Sequence, residues 1–407
     1  MPNHGHYNLL NVKLLKESFT SLLLSAVTAV FAGIFLGTFK ETFILLPGLI
    51  VLIPAAIGMR GNIFAALGSR LGSAFHLGTI TRFDAKNRTI RNNIHSSFTL
   101  TIILSVFLGF LAKFLTVLFG IESMSLFSFI LISFIGGMIS GLVMLATTFG
   151  IAFLSYRRGW DPDNVTSPMI TALGDFFTIP SLLLAAFLVV GLGGFAELLA
   201  YSVVAMTAVY TAVITWHKKF STNKSYRGIV FQSLAVLLTA GSLDGIAGSF
   251  IELNIDKLVL VPILLVLLPA FLEEGGNIGN ILASRVSTKL HIGSIRPKLS
   301  MTHEVKREIA NSMLSAYMIF PTVGFLTSVI SSFAGIGGLG IADMVVISAV
   351  SGVLLHLIII FFTFFVSILS YKYGFDPDNT TIPIMTSATD IIGTIALLFV
   401  IHIMGIV

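Results

Sequence analysis

Two aspartates recur at one position of a repeated motif, inside segments that are otherwise apolar. Asp175 ends the stretch DPDNVTSPMITALGD, and Asp390 ends the matching stretch DPDNTTIPIMTSATD. A carboxylate inside a bilayer costs at least about 2.5–3.5 kcal/mol on insertion scales, so it normally faces a partner or a water-filled cavity. Oxygen ligands without sulfur or clustered imidazole suit a hard cation. The pair therefore predicts a metal-ion site within a membrane. The alternative is that each aspartate is protonated and hydrogen-bonded between helices.

Further oxygen donors accompany the two aspartates. Thr171 and Thr386 precede them by four residues, which is one helical turn on the same face. A second repeated block centres on Asn62 and Asn277, each preceded by glycine, and the asparagine offers an amide oxygen to a cation. The structural alternative for this block is close helix packing at the glycine and an interhelical hydrogen bond from the asparagine.

The two copies of the second block differ in charge. Gly58-Met59-Arg60 in the first copy corresponds to Glu273-Glu274-Gly275 in the second. We expect Arg60 to pair with Glu273 or Glu274 at one mouth of an ion path, because pairing offsets the cost of burying a charge. The rival hypothesis is that the two glutamates bind a coupling ion.

An intramembrane aspartyl protease would also use two membrane-embedded aspartates. That chemistry needs unlike surroundings so that two carboxylates share one proton, whereas these two end copies of a single motif. Thr389 also stands where the GxGD signature of such proteases would need glycine. The chain has no cysteine, which excludes a thiol nucleophile and a thiolate metal site. No phosphate-binding loop is present, so we predict that the chain is not an enzyme.

The composition indicates an integral membrane protein of the all-α class. Of 407 residues, 55% are hydrophobic and 11% charged, and the mean hydropathy is +0.97. This composition excludes a soluble enzyme, a nucleic-acid binder and a disordered scaffold. Apolar runs long enough to cross a bilayer predict eleven helices, at 18–39, 43–80, 93–119, 126–155, 166–190, 197–216, 230–251, 258–295, 309–333, 344–370 and 381–404.

The basic residues predict the orientation of the chain in a cell membrane. Eighteen lysines and arginines fall in alternate loops on one side, and three fall in the loops on the other side. Because basic loops stay in the cytoplasm, the N-terminus is expected to be cytoplasmic and, with an odd number of spans, the C-terminus extracytoplasmic. The net charge of +5 then reflects topology and not a polyanionic partner.

A single constant shift, which brings position 54 onto position 269, aligns two separate regions of the chain without a gap. Residues 54–80 match 269–295 at eleven of 27 positions, and residues 155–175 match 370–390 at eleven of 21. Two blocks in fixed register predict a duplicated five-helix unit. The predicted segments are a first repeat at 1–192, a linking helix with a basic cytoplasmic loop at 193–226, and a second repeat at 227–407.

The linking span 197–216 has no counterpart in the repeat, so it adds a sixth crossing before the second copy begins. Both repeats should therefore enter the membrane in the same direction, related by a pseudo-twofold axis along the membrane normal. Equivalent residues would then lie at equal depth and face a shared central pathway. The expected functional form is a single-chain pseudo-dimer.

These motifs resemble the two hallmark blocks of the MgtE family of Mg2+ transporters. GMRGNIFAALGSR and GGNIGNILASRVST are especially similar to its tandem, solute-carrier branch found in animals and some prokaryotes, and the resemblance covers nearly all of the chain. It implies a divalent-cation pathway in which Asp175 and Asp390 match the family's pore aspartate, with the Asn62 and Asn277 helices lining it. Arg60 departs from the glycine-rich bacterial pattern. Bacterial members also carry a large cytosolic Mg2+-sensing region, and only about 17 residues precede the first span here, so that gating mechanism is not expected.

Mg2+ sheds its water reluctantly, so we expect the aspartates to hold it through its hydration shell, with the Thr171 and Thr386 hydroxyls bonding to the bound waters. A divalent cation entering a cell gains about 4.6 kcal/mol per 100 mV, so influx needs no pump. Efflux would need exchange for Na+ or H+, which is the alternative function. The expected partners are membrane lipids and divalent cations, without nucleic acid.

Overall fold

A computed structural model describes residues 12–76, 78–80, 84, 86–158, 162–216, 223–298, 300–373 and 377–406. Within these ranges every regular element is helical, as predicted. Besides a short 3-10 helix at Leu49–Val51, the elements are α1 (Val12–Thr38), α2 (Lys40–Leu45), α3 (Leu52–His76), α4 (Arg88–Leu118), α5 (Leu126–Arg157), α6 (Pro162–Leu192), α7 (Phe195–Trp216), α8 (Lys224–Glu252), α9 (Ile255–Leu260), α10 (Pro262–Ile292), α11 (His303–Phe333), α12 (Ile341–Lys372) and α13 (Pro377–Ile403).

In the described part of the chain, eleven of these helices are long and apolar enough to cross a membrane. They correspond one to one with the eleven predicted spans, so the prediction of an all-α, multi-pass membrane protein is confirmed. The short helices α2 and α9 are the exceptions, and each precedes one of the two long helices that carry the Gly-Asn blocks, α3 and α10.

Both predicted runs that contain the Gly-Asn blocks are interrupted near their first residues. In the run 43–80, Gly48 adopts a left-handed conformation with φ of 86°, which a glycine adopts without steric cost. In the run 258–295, Pro262 begins α10, since its missing N–H would have no partner in the first helical turn. The breaks shorten α3 to 25 residues and α10 to 31.

The helices that carry the aspartates begin four residues earlier than predicted. α6 begins at Pro162 instead of 166, and α13 begins at Pro377 instead of 381. Proline favours the first position of a helix because its fixed φ already fits the helical turn. Asp161 and Asp376, which open the DPDN motifs, lie outside the described residues.

The chain forms two compact units that do not coincide with the sequence repeats. One, which we name the first-repeat unit, comprises residues 38–259, and the other, the second-repeat unit, comprises residues 1–37 together with 260–407. In the first-repeat unit, α3 contacts α4, α5, α6 and α8. In the second-repeat unit, α10 contacts α11, α12 and α13, and α1 packs on α10. The first helix of each sequence repeat therefore belongs to the unit built mainly from the other repeat.

We call α1 and α8 the exchanged helices, because each belongs to the unit built mainly from the other repeat. Two equivalent helix crossings hold them in their units. A Cβ atom on Gly33 of α1 would clash with the carbonyl oxygen of Val266, and one on Gly248 of α8 would lie 2.7 Å from the carbonyl oxygen of Val51. Positions 33 and 248, and likewise 51 and 266, are related by the shift that aligns the two repeats in the sequence. Both crossings thus depend on glycine, because it lets two backbones approach closely.

Candidate functional site

Asp175 and Asp390 lie near the middle of α6 and α13. Each follows the first residue of its helix by 13 positions, from 162 to 175 and from 377 to 390, which is about 20 Å along the axis. Asp175 is buried, with 4% of its surface exposed, whereas Asp390 is partly accessible. The two aspartates belong to different compact units, and their facing one another stays a prediction.

Within each unit the Gly-Asn helix packs against the aspartate helix in the same register. A Cβ atom on Gly61 would lie 3.8 Å from Cγ2 of Thr171, and one on Gly276 would lie 3.8 Å from Cγ2 of Thr386. The structure therefore brings the two repeated sequence blocks side by side, with each threonine opposite the glycine that precedes the predicted asparagine. Asn62 and Asn277 are both half-buried on these helices.

Asn280 is a neighbour of the site that the sequence analysis missed. Its Nδ2 donates to Oγ1 of Thr386 at 3.1 Å, one turn before Asp390. Its position three residues after Asn277 was an available signal, because such residues share a helix face. The repeat search passed over it since the equivalent residue of the first copy is Ala65.

Glu273 and Glu274 lie on α10 beside a serine of α1. The Ser25 hydroxyl donates to Oε1 of Glu273 at 2.7 Å, and Nδ2 of Asn277 donates to the Ser25 hydroxyl at 3.0 Å. The same Nδ2 donates to Oε1 of Glu274 at 3.4 Å. Glu274 is fully buried, and its Oε2 has no hydrogen-bond partner among the described residues. No sequence signal indicated Ser25, which precedes Glu273 by 248 residues.

Arg60 is buried inside the first-repeat unit, with 1% of its surface exposed. Its Nε donates to the Ser140 hydroxyl at 3.1 Å, and its Nη2 donates to the Ser105 hydroxyl at 2.8 Å. These hydroxyls on α4 and α5 were not foreseen from the sequence. The proposed pairing of Arg60 with Glu273 or Glu274 stays a prediction.

Asp244 is a second buried acid that the sequence analysis missed. It lies on α8 with 2% of its surface exposed, and a Cβ atom on Gly58 of α3 would clash with its Oδ2. The signal was an acidic residue inside the predicted span 230–251. The repeat comparison overlooked it because the equivalent residue of the first copy is Ala29.

Comparison with known protein families identifies the family to which the chain belongs. The MgtE family, described as a divalent cation transporter, matches residues 53–185 and 268–400, more than half of the chain. The chain belongs to the MgtE family. The limits of the second MgtE segment follow those of the first by the same shift that aligns the sequence repeats. Membership points to divalent-cation transport across a membrane and to a transporter and not an enzyme.

Curated relatives of this MgtE chain carry solute-carrier names, which confirms the predicted tandem branch. Solute carrier family 41 member 2 of Mus musculus is 26% identical over 412 residues, covering 95% of this chain and 69% of the relative. The Xenopus laevis protein of that name is 24% identical over 424 residues, covering 95% and 71%. Solute carrier family 41 member 3 of Mus musculus is 23% identical over 402 residues, covering 91% and 79%. No solved structure matches the chain at a significant level.

Proposed function

We propose that the protein transports Mg2+ through a central pathway between its two repeats, with Asp175 and Asp390 supplying the charge that selects a divalent cation. The observation that carries the proposal is their equivalent setting. Each aspartate stands equally far from the first residue of its helix, and each helix packs on a Gly-Asn helix in the same register. An ionisable residue in the middle of a spanning helix is a functional-site hypothesis by default.

The ion passes the aspartates with much of its hydration shell intact, since Mg2+ is costly to dehydrate. The hydroxyls of Thr171 and Thr386 bond to the ion's water molecules, one helical turn from the carboxylates. Asn62 and Asn277 add amide oxygens from the neighbouring helices. Two carboxylates acting through water favour divalent over monovalent ions because the Coulomb attraction doubles with the charge of the ion.

The membrane potential drives the ion inward in this proposal, at about 4.6 kcal/mol per 100 mV. The N-terminus is cytoplasmic and the C-terminus extracytoplasmic, as the basic loops predict. A single chain supplies both aspartates and therefore acts as a pseudo-dimer.

The test is Mg2+ uptake by liposomes that contain the purified protein and a Mg2+-sensitive dye, with a membrane potential imposed. We expect Asp175→Asn and Asp390→Asn each to lower the uptake rate at least tenfold. Asp343→Asn, an exposed acid in the first turn of α12, is the matched control and should keep the wild-type rate. Wild-type uptake in both pathway variants would refute the assignment of the aspartates.

The second candidate function is Mg2+ efflux in exchange for Na+ or H+. The observation that favours it is the neighbouring pair of Glu273, which is partly exposed, and Glu274, which is buried, since these acids are additional to those that the pathway uses. Imposing Na+ and H+ gradients separately on the same liposomes separates the two functions. A Mg2+ flux that follows only the membrane potential indicates a channel, and a flux that follows either gradient indicates an exchanger.

A further inference from the structure

Arg60 is a buried cation whose described hydrogen bonds satisfy only part of its guanidinium. Nε and Nη2 donate to the hydroxyls of Ser140 and Ser105, whereas Nη1 has no hydrogen-bond partner among the described residues. Both hydroxyls are neutral, so these two bonds do not compensate the positive charge. A charge buried inside a protein is costly unless an opposite charge neutralises it. The contacts described for Arg60 therefore lack a negative charge.

A cavity lies close to these contacts, between the same three helices. Its walls include Phe64 of α3, Thr101 of α4 and Gly141 of α5. Phe64 lies one helical turn from Arg60, and Thr101 lies one turn from Ser105. The cavity therefore adjoins the buried guanidinium inside the first-repeat unit.

Two hydroxyls in the cavity wall have no hydrogen-bond partner. Ser97 and Thr101 line the cavity with 1% and 3% of their surfaces exposed, and the hydroxyl of neither is bonded to a described residue. The other side chains that line the cavity are apolar. Because buried polar groups normally have a partner, the two hydroxyls indicate that a ligand occupies the cavity. With Nη1 of Arg60 they provide three unused hydrogen-bond donors.

We infer that Arg60, Ser97 and Thr101 form a binding site for a monatomic anion such as chloride, which acts as the counter-ion of the buried guanidinium. The arginine supplies the opposite charge, and the two hydroxyls donate hydrogen bonds. The cavity has room for about one water-sized particle, so it suits a halide better than phosphate or a carboxylate. This inference does not depend on the proposed Mg2+ pathway.

A polar face of α4 connects the site to the beginning of that helix. Four polar residues recur along this face at intervals of one turn: Asn93, Ser97, Thr101 and Ser105. They span about 18 Å along the helix axis. Arg70, which is partly exposed, donates to Oδ1 of Asn93 at 2.7 Å, and its Nη2 has no partner among the described residues. An anion attracted by Arg70 would thus find donors along α4 as far as Arg60.

A histidine replaces the glycine of the cavity wall in the second-repeat unit. Gly141 corresponds to His356, whose Nε2 lies 2.7 Å from the hydroxyl of Ser312. Ser312 is the counterpart of Ser97. The serine therefore has a protein partner in the second-repeat unit and lacks one in the first, where the glycine offers no side chain to fill the cavity.

The charges change together with this glycine. Arg60 corresponds to Gly275, and Asn93, at the beginning of the polar face, corresponds to the buried acid Glu308. The second-repeat unit thus has no counterpart of the buried cation, and it has an acid where an anion would enter. Arginine and glycine occur together in one copy and are replaced together in the other, which a chance packing defect would not explain.

The experiment measures the binding of radiolabelled chloride to the purified protein in detergent, with Na+ held constant and gluconate as the balancing anion. We expect saturable binding by the wild type. Arg60→Met, which removes the charge and keeps a long side chain, should abolish the binding. Thr101→Val should weaken it several-fold. Thr363→Val is the matched control, since it removes a buried hydroxyl without a described partner in the second-repeat unit, and it should bind as wild type.

Thermal unfolding in the same buffers gives a second measurement, because an anion that binds only the folded state raises the midpoint. We expect chloride to raise the wild-type midpoint relative to gluconate and to leave the midpoint of Arg60→Met unchanged. If Arg60→Met does not fold, the comparison of Thr101→Val with Thr363→Val decides.

Three results would overturn the inference: no saturable chloride binding by the wild type, undiminished binding by Arg60→Met, or equal binding by Thr101→Val and Thr363→Val. The first result would leave water in the cavity and favour the pairing of Arg60 with Glu273 or Glu274. None of these measurements involves Mg2+, so failure of the proposed function would leave them unaffected.

Discussion

In the first-repeat unit a guanidinium fills the space between α3, α4 and α5, whereas apolar side chains fill the equivalent space in the second-repeat unit. Arg60 reaches the hydroxyls of Ser105 and Ser140, and its Nη2 lies against Gly137. The equivalent residues of the second copy are Gly275, Phe320, Leu355 and Gly352.

In the second-repeat unit the ring of Phe320 lies against Gly352, and Cδ2 of Leu355 lies 2.7 Å from where a Cβ atom on Gly275 would be. The volume that the Arg60 side chain occupies in the first copy is thus filled in the second copy by side chains from two other helices, α11 and α12. The fold sets the volume of the pocket, and the residues that fill it change together. Such contacting positions are expected to be strongly non-additive when mutated singly.

The largest expected effect comes from placing the charge in the apolar pocket. Gly275→Arg would bury a guanidinium against Phe320 and Leu355, which replace the two serines that bind Arg60 in the first copy, at a cost on the order of 3–5 kcal/mol. We expect the variant to lose most of its folded, monodisperse protein in size-exclusion chromatography. Gly337→Arg, at an exposed loop position with no atom close to its Cβ, is the control. Adding Phe320→Ser and Leu355→Ser should restore part of the yield, and wild-type yield from Gly275→Arg alone would contradict the comparison.

An intermediate effect is expected at the crossings of the exchanged helices. Gly33→Ala and Gly248→Ala force a methyl group against a backbone carbonyl, so each should destabilise the protein by about 1–3 kcal/mol. The effect should be larger at Gly33, where the approach is closer. Gly150→Ala, within α5 with no atom near its Cβ, should instead stabilise by up to about 1 kcal/mol, because alanine favours a helix. Thermal unfolding measures all three, and a common sign would contradict the assigned contacts.

The smallest effect is expected where the copies differ at a buried position whose basic partners are partly exposed. Arg70 donates to Oδ1 of Asn93 at 2.7 Å in the first-repeat unit. At the equivalent place Glu308 pairs with Arg285 at 3.1 Å and with Lys289 at 2.9 Å. Glu308→Asn should cost about 1–2 kcal/mol, since it leaves two cations without their shared acid. The loss should shrink in high salt, because screening weakens the repulsion between them. The reciprocal Asn93→Glu should change stability by less than about 1 kcal/mol, because pairing with Arg70 offsets the cost of burying the new carboxylate. A larger loss there than in Glu308→Asn would reverse the comparison.

The spans and the two motif blocks could be predicted from the sequence, whereas the contact between the blocks was a finding of the structure. Long apolar runs identify helices whatever their tertiary partners, and a motif repeated in fixed register indicates a shared environment. Thr171 and Asp175 therefore stood out before the contact of Thr171 with Gly61 was known. The helix breaks lie at Gly48 and Pro262, and glycine and proline commonly interrupt helices. The hydropathy alone shows no break at either position.

The remaining site residues could not be predicted for a physical reason. A comparison of the two repeats finds only the residues that are identical in both copies. The acids at the crossings of α1 with α10 and of α8 with α3 are not identical, so this comparison does not find them. Asp244 and Gly58 in one unit correspond to Ala29 and Glu273 in the other, so the carboxylate changes helix between copies. Ser25 meets Glu273 only through the tertiary exchange of α1, for which the hydropathy pattern contains no signal.

The exchange of α1 also fixes an order of assembly during synthesis. Gly33 meets Val266, which is made 233 residues later (266 − 33 = 233), and at about 5–20 residues per second this takes roughly ten to fifty seconds. Over that interval α1 is in the membrane without its partner in the second-repeat unit. α8, in contrast, finds α3 already inserted. The first-repeat unit is therefore completed before the second-repeat unit, although α1, which belongs to the second-repeat unit, is synthesised first. α1 waits at the translocon or in lipid until the ribosome has produced α10.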